Sequence, residues 1–190
     1  MRIWRSQTAF DLPESVLALG TFDGLHAGHR VLIGRAMALA RAMNCACVVC
    51  TFDRHPLTLL SPKKAPKQLM TLNEKLSALE KMGVDGVLVE TFDAACAATE
   101  PERYLRQLVT NMRARALVAG FNHHFGAHGR GDADMIRRMA DELHYRAEIL
   151  PPVQDGADVI SSTLIRDLLR HGDTDRAQRL MTEKVNSAAE

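Results

Sequence analysis

The sequence lacks the charge bias that marks a dedicated nucleic-acid or membrane-surface binder. Its 24 Lys and Arg residues nearly balance its 23 Asp and Glu residues, for a net charge of +1, and only 5% of residues are aromatic. A protein of either class should carry a basic face or tail, and no long run of like charge is present. We therefore expect neither nucleic acid nor membrane as a partner.

Long apolar runs are also missing. The longest ones have the length of strands, far short of a membrane span, and residues 1–7 lack the apolar segment of a signal peptide. Four cysteines among 190 residues are too few for a small disulfide framework and suit a reducing compartment. These features predict a cytoplasmic protein of one domain, long enough to bury a core.

Two of the cysteines, Cys47 and Cys50, form a Cys-x-x-Cys pattern that could bind a metal or form a redox pair. The pattern lies in an apolar run, residues 46–52, that is typical of a buried strand. Residues three apart on a strand point to opposite faces, so these thiols cannot easily share a metal or a disulfide. We interpret both as core cysteines.

Short β-like runs alternate with amphipathic helical stretches. Strands are predicted at residues 16–19, 46–52, 84–90, 116–119 and 147–150. Helices are predicted at residues 27–43, 73–82, 101–113, 132–144, 162–170 and 174–181, with a long loop at 56–70. This order predicts an α/β fold with a parallel sheet of five or more strands and helices on both faces. Ligands of such sheets bind at the carboxyl ends of the strands.

The loop after the first predicted strand, Gly20–His29, runs directly into a helix and contains three glycines spaced by four. Glycine lets the backbone approach a ligand closely, and the free N–H groups of a helix N-terminus favour phosphate. His26 and His29 lie at this position, and each ring can donate an N–H to a phosphate oxygen. The alternatives are a glycine-rich turn with two surface histidines, or a metal pair, although no further ligands are evident at supporting spacing.

A second pattern that suits phosphate lies at residues 160–166, near the end of the chain. Ser161 or Ser162 can cap the following helix, whose free N–H groups again suit an anion. Arg166 lies one helical turn beyond Ser162, where its guanidinium can reach phosphate oxygens as a fork. Helix capping alone would explain the serines but not the arginine.

The segment Gly20–His29, with the pattern G-x-F-D-G-x-H-x-G-H, resembles the first signature of the FAD synthetase family. That family is the adenylyltransferase module of bacterial bifunctional riboflavin kinase/FMN adenylyltransferases. Ile160–Arg166 is similar to its second signature, and the resemblance extends from about Ala18 to about Leu180. It implies a Rossmann-like nucleotidylyltransferase fold and an enzyme that transfers AMP from ATP to FMN, which gives FAD and pyrophosphate.

The resemblance also implies roles for individual residues. His26, His29 and Arg166 would be catalytic. ATP would contact Gly20, Phe22, Asp23, Gly24, His26, Gly28, His29, Asn122, Ser161, Ser162, Thr163 and Arg166. The flavin would contact Phe52, His55, Pro56, Pro66, Leu69 and Phe125. Mg²⁺ would be held mainly by the substrate phosphates, with no dedicated protein ligands.

The chain departs from the family pattern in the loop 120–132. His123 stands where the family usually has Phe, and Arg130 lies one place later than the usual Arg. His123, His124 and His128 could suggest a metal cluster, but adjacent histidines in extended chain point apart. We expect one side chain of the adjacent pair to pack and the other to face solvent or substrate.

Residues 1–182 are expected to form the adenylyltransferase domain and residues 183–190 a polar tail, with no riboflavin kinase domain. A separate riboflavin kinase would then supply FMN. Two alternatives stay open. One is a nucleotidylyltransferase for another phosphorylated acceptor, such as a flavin analogue, and the other is a non-catalytic regulator that binds flavin or nucleotide. Retention of both histidines, Ser162 and Arg166 argues against the regulator.

Overall fold

The computed structural model describes residues 1–182, and the predicted polar tail at 183–190 lies outside the described residues. Six parallel strands form the main sheet in the order β1-β4-β3-β2-β5-β6. They are β1 (Arg2–Trp4), β2 (Ser15–Leu19), β3 (Ala46–Phe52), β4 (Gly86–Glu90), β5 (Ala114–Gly120) and β6 (Arg146–Leu150). The predicted parallel α/β sheet is confirmed, with one strand more than the five predicted individually.

Helices connect the strands and pack on both faces of the sheet. They are α1 (Ala27–Met43), α2 (Leu57–Leu60), α3 (Leu72–Met82), α4 (Ala94–Ala98), α5 (Pro101–Asn111), α6 (Ala133–Arg138), α7 (Ala140–Leu143), α8 (Ser162–Arg170) and α9 (Thr174–Thr182). Local sequence sets several of their ends: Thr71 and Glu74 form a capping box at α3, and Gly83 ends α3 in the left-handed conformation. Among residues 1–182, no helix is both long and apolar enough to cross a membrane.

The side chains of β2 alternate between two apolar cores. Val16 and Ala18 pack with α1 and α3 on one face, and Leu17 and Leu19 pack with α5 and α6 on the other. Both faces are buried, which explains why the central strands read as continuous apolar runs. The two thiols of the Cys-x-x-Cys pattern divide in the same way, since Cys47 belongs to the first core and Cys50 to the second. The interpretation as core cysteines is confirmed.

Five features differ from the sequence-based prediction. Strand β1 was not predicted, because its three residues are too few to show alternation. Trp4 of this strand packs closely on Gly86 of β4, where a Cβ added to the glycine would lie 2.2 Å from the Trp4 ring. The predicted helix 132–144 is two helices, and the Ile136 carbonyl near the break accepts a 2.5 Å hydrogen bond from the Tyr145 hydroxyl. Helix α4 was missed, and α2 lies within the predicted loop 56–70. A small hairpin that was not predicted, β7 (Gln154–Asp155) and β8 (Asp158–Val159), follows β6.

Candidate active site

The first predicted phosphate loop, between β2 and α1, adopts an unusual backbone conformation. Phe22, Gly24 and Leu25 all have positive φ values, of 51°, 85° and 41°. The fully buried Phe22 ring covers Gly20, where an added Cβ would lie 2.9 Å from the ring. Non-glycine residues adopt such φ values at a cost, so the surrounding packing must hold this turn in place. The turn places the N-terminus of α1 at the carboxyl edge of the sheet.

His26 is the N-cap of α1, and its position fixes its protonation. Its Nδ1 accepts a hydrogen bond from the His29 backbone N–H at 3.4 Å. The pKa of His26 is lowered to about 4, mainly by burial; Asp23 opposes the shift and Arg166 contributes to it. The ring is therefore neutral at pH 7, and because Nδ1 is an acceptor its proton resides on Nε2. His26 can thus donate one N–H to a phosphate oxygen.

His29 lies against His26 in a stacked arrangement, with ring centroids 3.7 Å apart and an interplanar angle of 19°. The ring of Phe22 meets it edge-on at 5.1 Å. Burial, together with His26 and Lys75, lowers the pKa of His29 well below its ordinary value. Its Nδ1 is buried and has no hydrogen-bond partner within residues 1–182. A buried polar atom without a partner indicates contact with water or a ligand.

The second predicted phosphate loop comes to the same place. Ser161 caps α8 by accepting the Leu164 N–H at 3.2 Å. The Ser162 hydroxyl donates to the Asp23 carbonyl at 2.8 Å, which ties the start of α8 to the loop before α1. Two helix N-termini distant in sequence therefore lie together at one edge of the sheet.

Arg166 forms an ion pair with the Asp23 carboxylate, and only 14% and 8% of the two side chains are exposed. Its Nε donates to the Lys67 carbonyl at 2.8 Å, so the guanidinium is held on two sides. Asp23 also accepts the Leu69 N–H at 2.9 Å. The two contacts from residues 67 and 69 fix the end of the long loop under the first turn.

Lys75 is a buried residue that the sequence-based site did not include. Its Nζ donates to the Thr21 carbonyl at 2.7 Å and contacts the Thr51 hydroxyl at 3.0 Å, and Thr51 donates to the same carbonyl at 2.9 Å. Burial lowers the pKa of Lys75 to about 8. The sequence contained a signal for the burial of Lys75, because this residue is at helical spacing from Leu72 and Leu79, on the apolar face of α3.

The loops enclose a cleft of about 380 Å³ along the carboxyl edge. One end, here called the phosphate end, carries His26, His29, Ser162 and Arg166. The other, the acceptor end, is lined by side chains from four different segments: Phe52, Glu90, Tyr104, His123 and Phe125.

Aromatic and polar groups alternate at the acceptor end. The His123 ring stacks on Phe125 with centroids 5.8 Å apart, and Tyr104 meets Phe125 at 5.9 Å. Burial lowers the pKa of His123 to about 4, so this ring is uncharged at neutral pH. Its neighbour His124 is exposed, with Nδ1 3.1 Å from the Gly129 carbonyl. One histidine of the adjacent pair packs and the other faces outward, as expected.

Most residues proposed from the sequence line this cleft, and a few lie beneath it. The lining includes Gly20, His26, Gly28, His29, Asn122, Ser161, Ser162, Thr163 and Arg166, with Phe52, His55, Pro56 and Phe125. Phe22, Asp23 and Gly24 are buried residues of the first turn, and the structure does not bring them to the lining. The structure does not bring Pro66 or Leu69 to the lining. Leu69 packs instead on Gly24, where an added Cβ would lie 2.7 Å from its Cδ1.

The residues near the phosphate end do not form a metal-binding set. No group of three His, Cys, Asp or Glu side chains within residues 1–182 is arranged to hold an ion. The nearby carboxylate, Asp23, is already engaged by Arg166 and the Leu69 N–H. Such surroundings fit an ion whose ligands come from substrate phosphates and water.

A parallel Rossmann-like sheet with two helix N-termini over one cleft defines a nucleotidylyltransferase-like protein. The chain belongs to the FAD synthetase family, whose model matches residues 9–164. It is 33% identical over 171 residues to the bifunctional riboflavin kinase/FMN adenylyltransferase of Bacillus subtilis (strain 168), covering 88% of this chain and 53% of that protein. The chain thus spans about half the length of that relative.

Two further comparisons cover nearly all of the chain. A relative from Geobacillus thermodenitrificans (strain NG80-2) is 31% identical over 98% of this chain and 100% of its own length. The crystal structure of a protein described as a macrolide-efflux protein from Streptococcus pneumoniae superimposes with a TM-score of 0.81 at 28% identity. That superposition covers 94% of this chain and 59% of the other.

Proposed function

We propose that this protein is an FMN adenylyltransferase, which joins the AMP part of ATP to FMN and releases pyrophosphate. The observation that carries the proposal is the meeting of two helix N-termini at one cleft, tied by the hydrogen bond from Ser162 to the Asp23 carbonyl at 2.8 Å. Two such termini can bind the adjoining phosphates of one nucleotide. Membership of the FAD synthetase family supports the choice of reaction.

In this proposal a phosphate oxygen of FMN attacks the α-phosphorus of ATP. The new P–O bond forms as the bond to the β-phosphate breaks, and pyrophosphate leaves with that electron pair. A phosphate monoester is mostly dianionic at neutral pH, since its second pKa is about 6, so no general base is required. Catalysis then consists of aligning two anions and stabilising charge on the α-phosphate and the leaving group.

The protein groups are assigned to the phosphates by what each can donate. His26, neutral with its proton on Nε2, donates to the α-phosphate or the bridging oxygen. His29 lies directly behind it and offers its buried ring as a second donor. At the N-terminus of α8, Ser162 through its backbone N–H and Arg166 through its guanidinium would bind the outer phosphates, and Asn122, which also lines the cleft, would contact ATP.

Mg²⁺ would be held by phosphate oxygens and water rather than by a set of protein side chains. Its chemical contribution, when bound, is to offset negative charge on the phosphates. Arg166 already occupies the nearby Asp23 carboxylate, so we do not expect Asp23 to serve as a Mg²⁺ ligand.

The flavin is assigned to the acceptor end. Phe52 and Phe125 line the cleft there, and His55 and Pro56 line the same cleft, so that these residues supply flat or apolar surface for a ring system. Leu69 and Pro66 lie outside the lining, and Leu69 acts indirectly by supporting Gly24. The proposed flavin contacts that line the cleft are therefore Phe52, His55, Pro56 and Phe125.

We further propose that residues 1–182 act as one adenylyltransferase domain and that a separate riboflavin kinase supplies its FMN. The four cysteines, all unpaired, suit a cytoplasmic location, where ATP is also available. Riboflavin used as a parallel acceptor tests the second point, because this chain should convert it neither to FMN nor to FAD.

The test is to incubate the purified protein with FMN, ATP and Mg²⁺ and to separate FMN from FAD by chromatography. We expect FAD from FMN, near-complete loss in His29→Ala, and normal activity in His171→Ala, which alters an exposed histidine beyond the cleft. ATP binding without FAD formation would favour another phosphorylated acceptor. Failure to bind ATP would contradict the enzyme assignment and favour a regulator.

A further inference from the structure

Glu90 is a carboxylate at the acceptor end for which the reaction outlined above has no use. It is the last residue of β4 and pairs in register with Phe52 of β3. Both residues line the cleft. β4 lies two strand positions from β2, which carries the first phosphate loop. The carboxyl ends of these two strands are therefore about 10 Å apart across the sheet.

The partners of Glu90 are neutral. Its Oε2 accepts the Tyr104 hydroxyl at 2.6 Å, and its Oε1 accepts the Gln7 side-chain amide at 2.7 Å. Gln7 in turn accepts the Asn111 amide at 3.3 Å. Burial and the Glu90 carboxylate raise the pKa of Tyr104 well above its ordinary value, so this hydroxyl keeps its proton and continues to donate.

In the part of the chain that the structure describes, no cation balances this carboxylate. Within residues 1–182, no Lys, Arg or His side chain forms an ion pair with Glu90. A half-buried carboxylate without a cation is a poor choice for stability alone. Its two oxygens have about four acceptor positions, of which the Tyr104 and Gln7 bonds use two. Acceptor capacity is left at a position that faces the cleft.

The two ends of the cleft therefore differ in charge and in hydrogen-bonding character. Donors lie at the phosphate end, namely the N–H groups at the two helix starts, the His26 ring and Arg166. An acceptor with negative charge lies at the other end. This arrangement attracts a ligand that has an anion at one end and a hydrogen-bond donor at the other, and it repels a ligand with anions at both ends.

We propose that Glu90 is a specificity residue that accepts a hydrogen bond from a ring N–H of the acceptor substrate. In oxidised FMN the isoalloxazine ring carries a single N–H, on the imide nitrogen between its two carbonyls, and the ribityl chain places the phosphate well away from it. The proposal rests on FMN adenylylation, and it adds the group that distinguishes the ring. The hydrogen bonds from Tyr104 and Gln7 hold the carboxylate in place, so less side-chain conformational entropy is lost when the substrate binds.

The test compares FMN with N3-methyl-FMN, which lacks the ring N–H, in the wild type, Glu90→Ala and Glu90→Gln. We expect the wild type to prefer FMN at least about tenfold in kcat/KM, because a hydrogen bond to a charged group is lost with the methylated flavin. Glu90→Ala should raise the KM for FMN about tenfold, leave kcat and the KM for ATP nearly unchanged, and remove the preference. Glu90→Gln should fall between, because the amide keeps the shape and one acceptor oxygen.

Glu102→Ala is the matched control, since it removes an exposed carboxylate from α5, the helix that carries Tyr104. It should behave as the wild type. If Glu90 acted only by steric exclusion, Glu90→Ala would have a higher kcat/KM for the methylated flavin and an unchanged kcat/KM for FMN. That result would overturn the proposal.

Wild-type protein that makes FAD equally well from both flavins would also overturn the proposal, while adenylylation itself would stand. Absence of FAD from either flavin would instead overturn the proposed function and this inference together. Unfolding curves of both Glu90 variants show whether an altered KM reflects damage to the fold, and Glu90→Gln remains informative if Glu90→Ala is unstable.

Discussion

The two ends of the cleft are made in different ways. At the phosphate end, the recognition groups are mostly the backbone and side chains of two helix starts, each contained in a run of about ten residues or fewer. At the acceptor end, the lining comes from single residues on β3, β4, α5 and the loop after β5. The first arrangement suits any polyphosphate of suitable length, and in the proposed function the second would determine which molecule is modified.

This contrast predicts different responses to substitution. In the proposed reaction each donor at the phosphate end would face developing charge, so its loss should reduce turnover strongly. At the acceptor end several rings and one carboxylate share the contact, so most single changes should alter KM by smaller factors. The predictions below test that difference in order of expected effect.

The largest effect is expected for His26, whose two roles can be separated. His26→Asn keeps a good N-cap for α1 but removes the ring N–H, whereas His26→Ala removes both. We expect both variants to lose about 10²–10³-fold in kcat, as for the loss of one charge-stabilising donor. Thermal unfolding should be near normal for His26→Asn and lowered for His26→Ala. Full activity in His26→Asn would show that capping is the only role of His26.

Arg166→Ala should lower kcat/KM for ATP about a hundredfold, because it removes a phosphate donor and leaves the buried Asp23 carboxylate unpaired beside anions. The double variant Asp23→Asn/Arg166→Ala should recover part of this loss, since the repulsive charge is gone. The reverse reaction, in which FAD and pyrophosphate give FMN and ATP, should slow in parallel. An unaffected reverse rate in Arg166→Ala would contradict contact with pyrophosphate.

The same contrast explains what the sequence predicted. The phosphate end was found from residue patterns because a glycine-rich turn and a capped helix are local structures, and the sheet rules bring them together. Lys75 and Glu90 were not assigned to the site, since a charged residue on a helix or at a strand end is usually solvated. Strand β1 and the break at Met139 depend on tertiary contacts, with Gly86 and Tyr145, that no local pattern shows.

Lys75 belongs to the phosphate end through its bond to the Thr21 carbonyl, and its effect should depend on pH. Its pKa is about 8 in the folded protein and 10.5 in the unfolded chain, so between these values the unfolded chain binds more protons and stability rises with pH. Relative to Lys75→Met, the wild type should gain roughly 2 kcal/mol of unfolding free energy from pH 7.5 to 10.5, at about 1.4 kcal/mol per pKa unit less an allowance for partial solvation. Urea unfolding at several pH values measures this gain.

The exposed Lys81, on the same helix, provides the control for that comparison. The difference between wild type and Lys81→Met should stay constant over the same pH range. A flat difference for Lys75→Met as well would mean that Lys75 is not buried in the charged form at neutral pH.

The smallest effect is expected at His123, where the chain departs from the aromatic residue usual in the family. His123 is neutral above about pH 5, because burial lowers its pKa to about 4, and its contact with Phe125 is a ring stack at 5.8 Å. His123→Phe keeps that stack and adds no charge, so the KM for FMN should change less than about threefold, a difference smaller than one hydrogen bond. The wild-type KM should likewise show no His123-dependent change between pH 5.5 and 8. A tenfold loss in His123→Phe would show that a ring nitrogen of His123 bonds the acceptor, and the acceptor end would then depend on single donors as the phosphate end does.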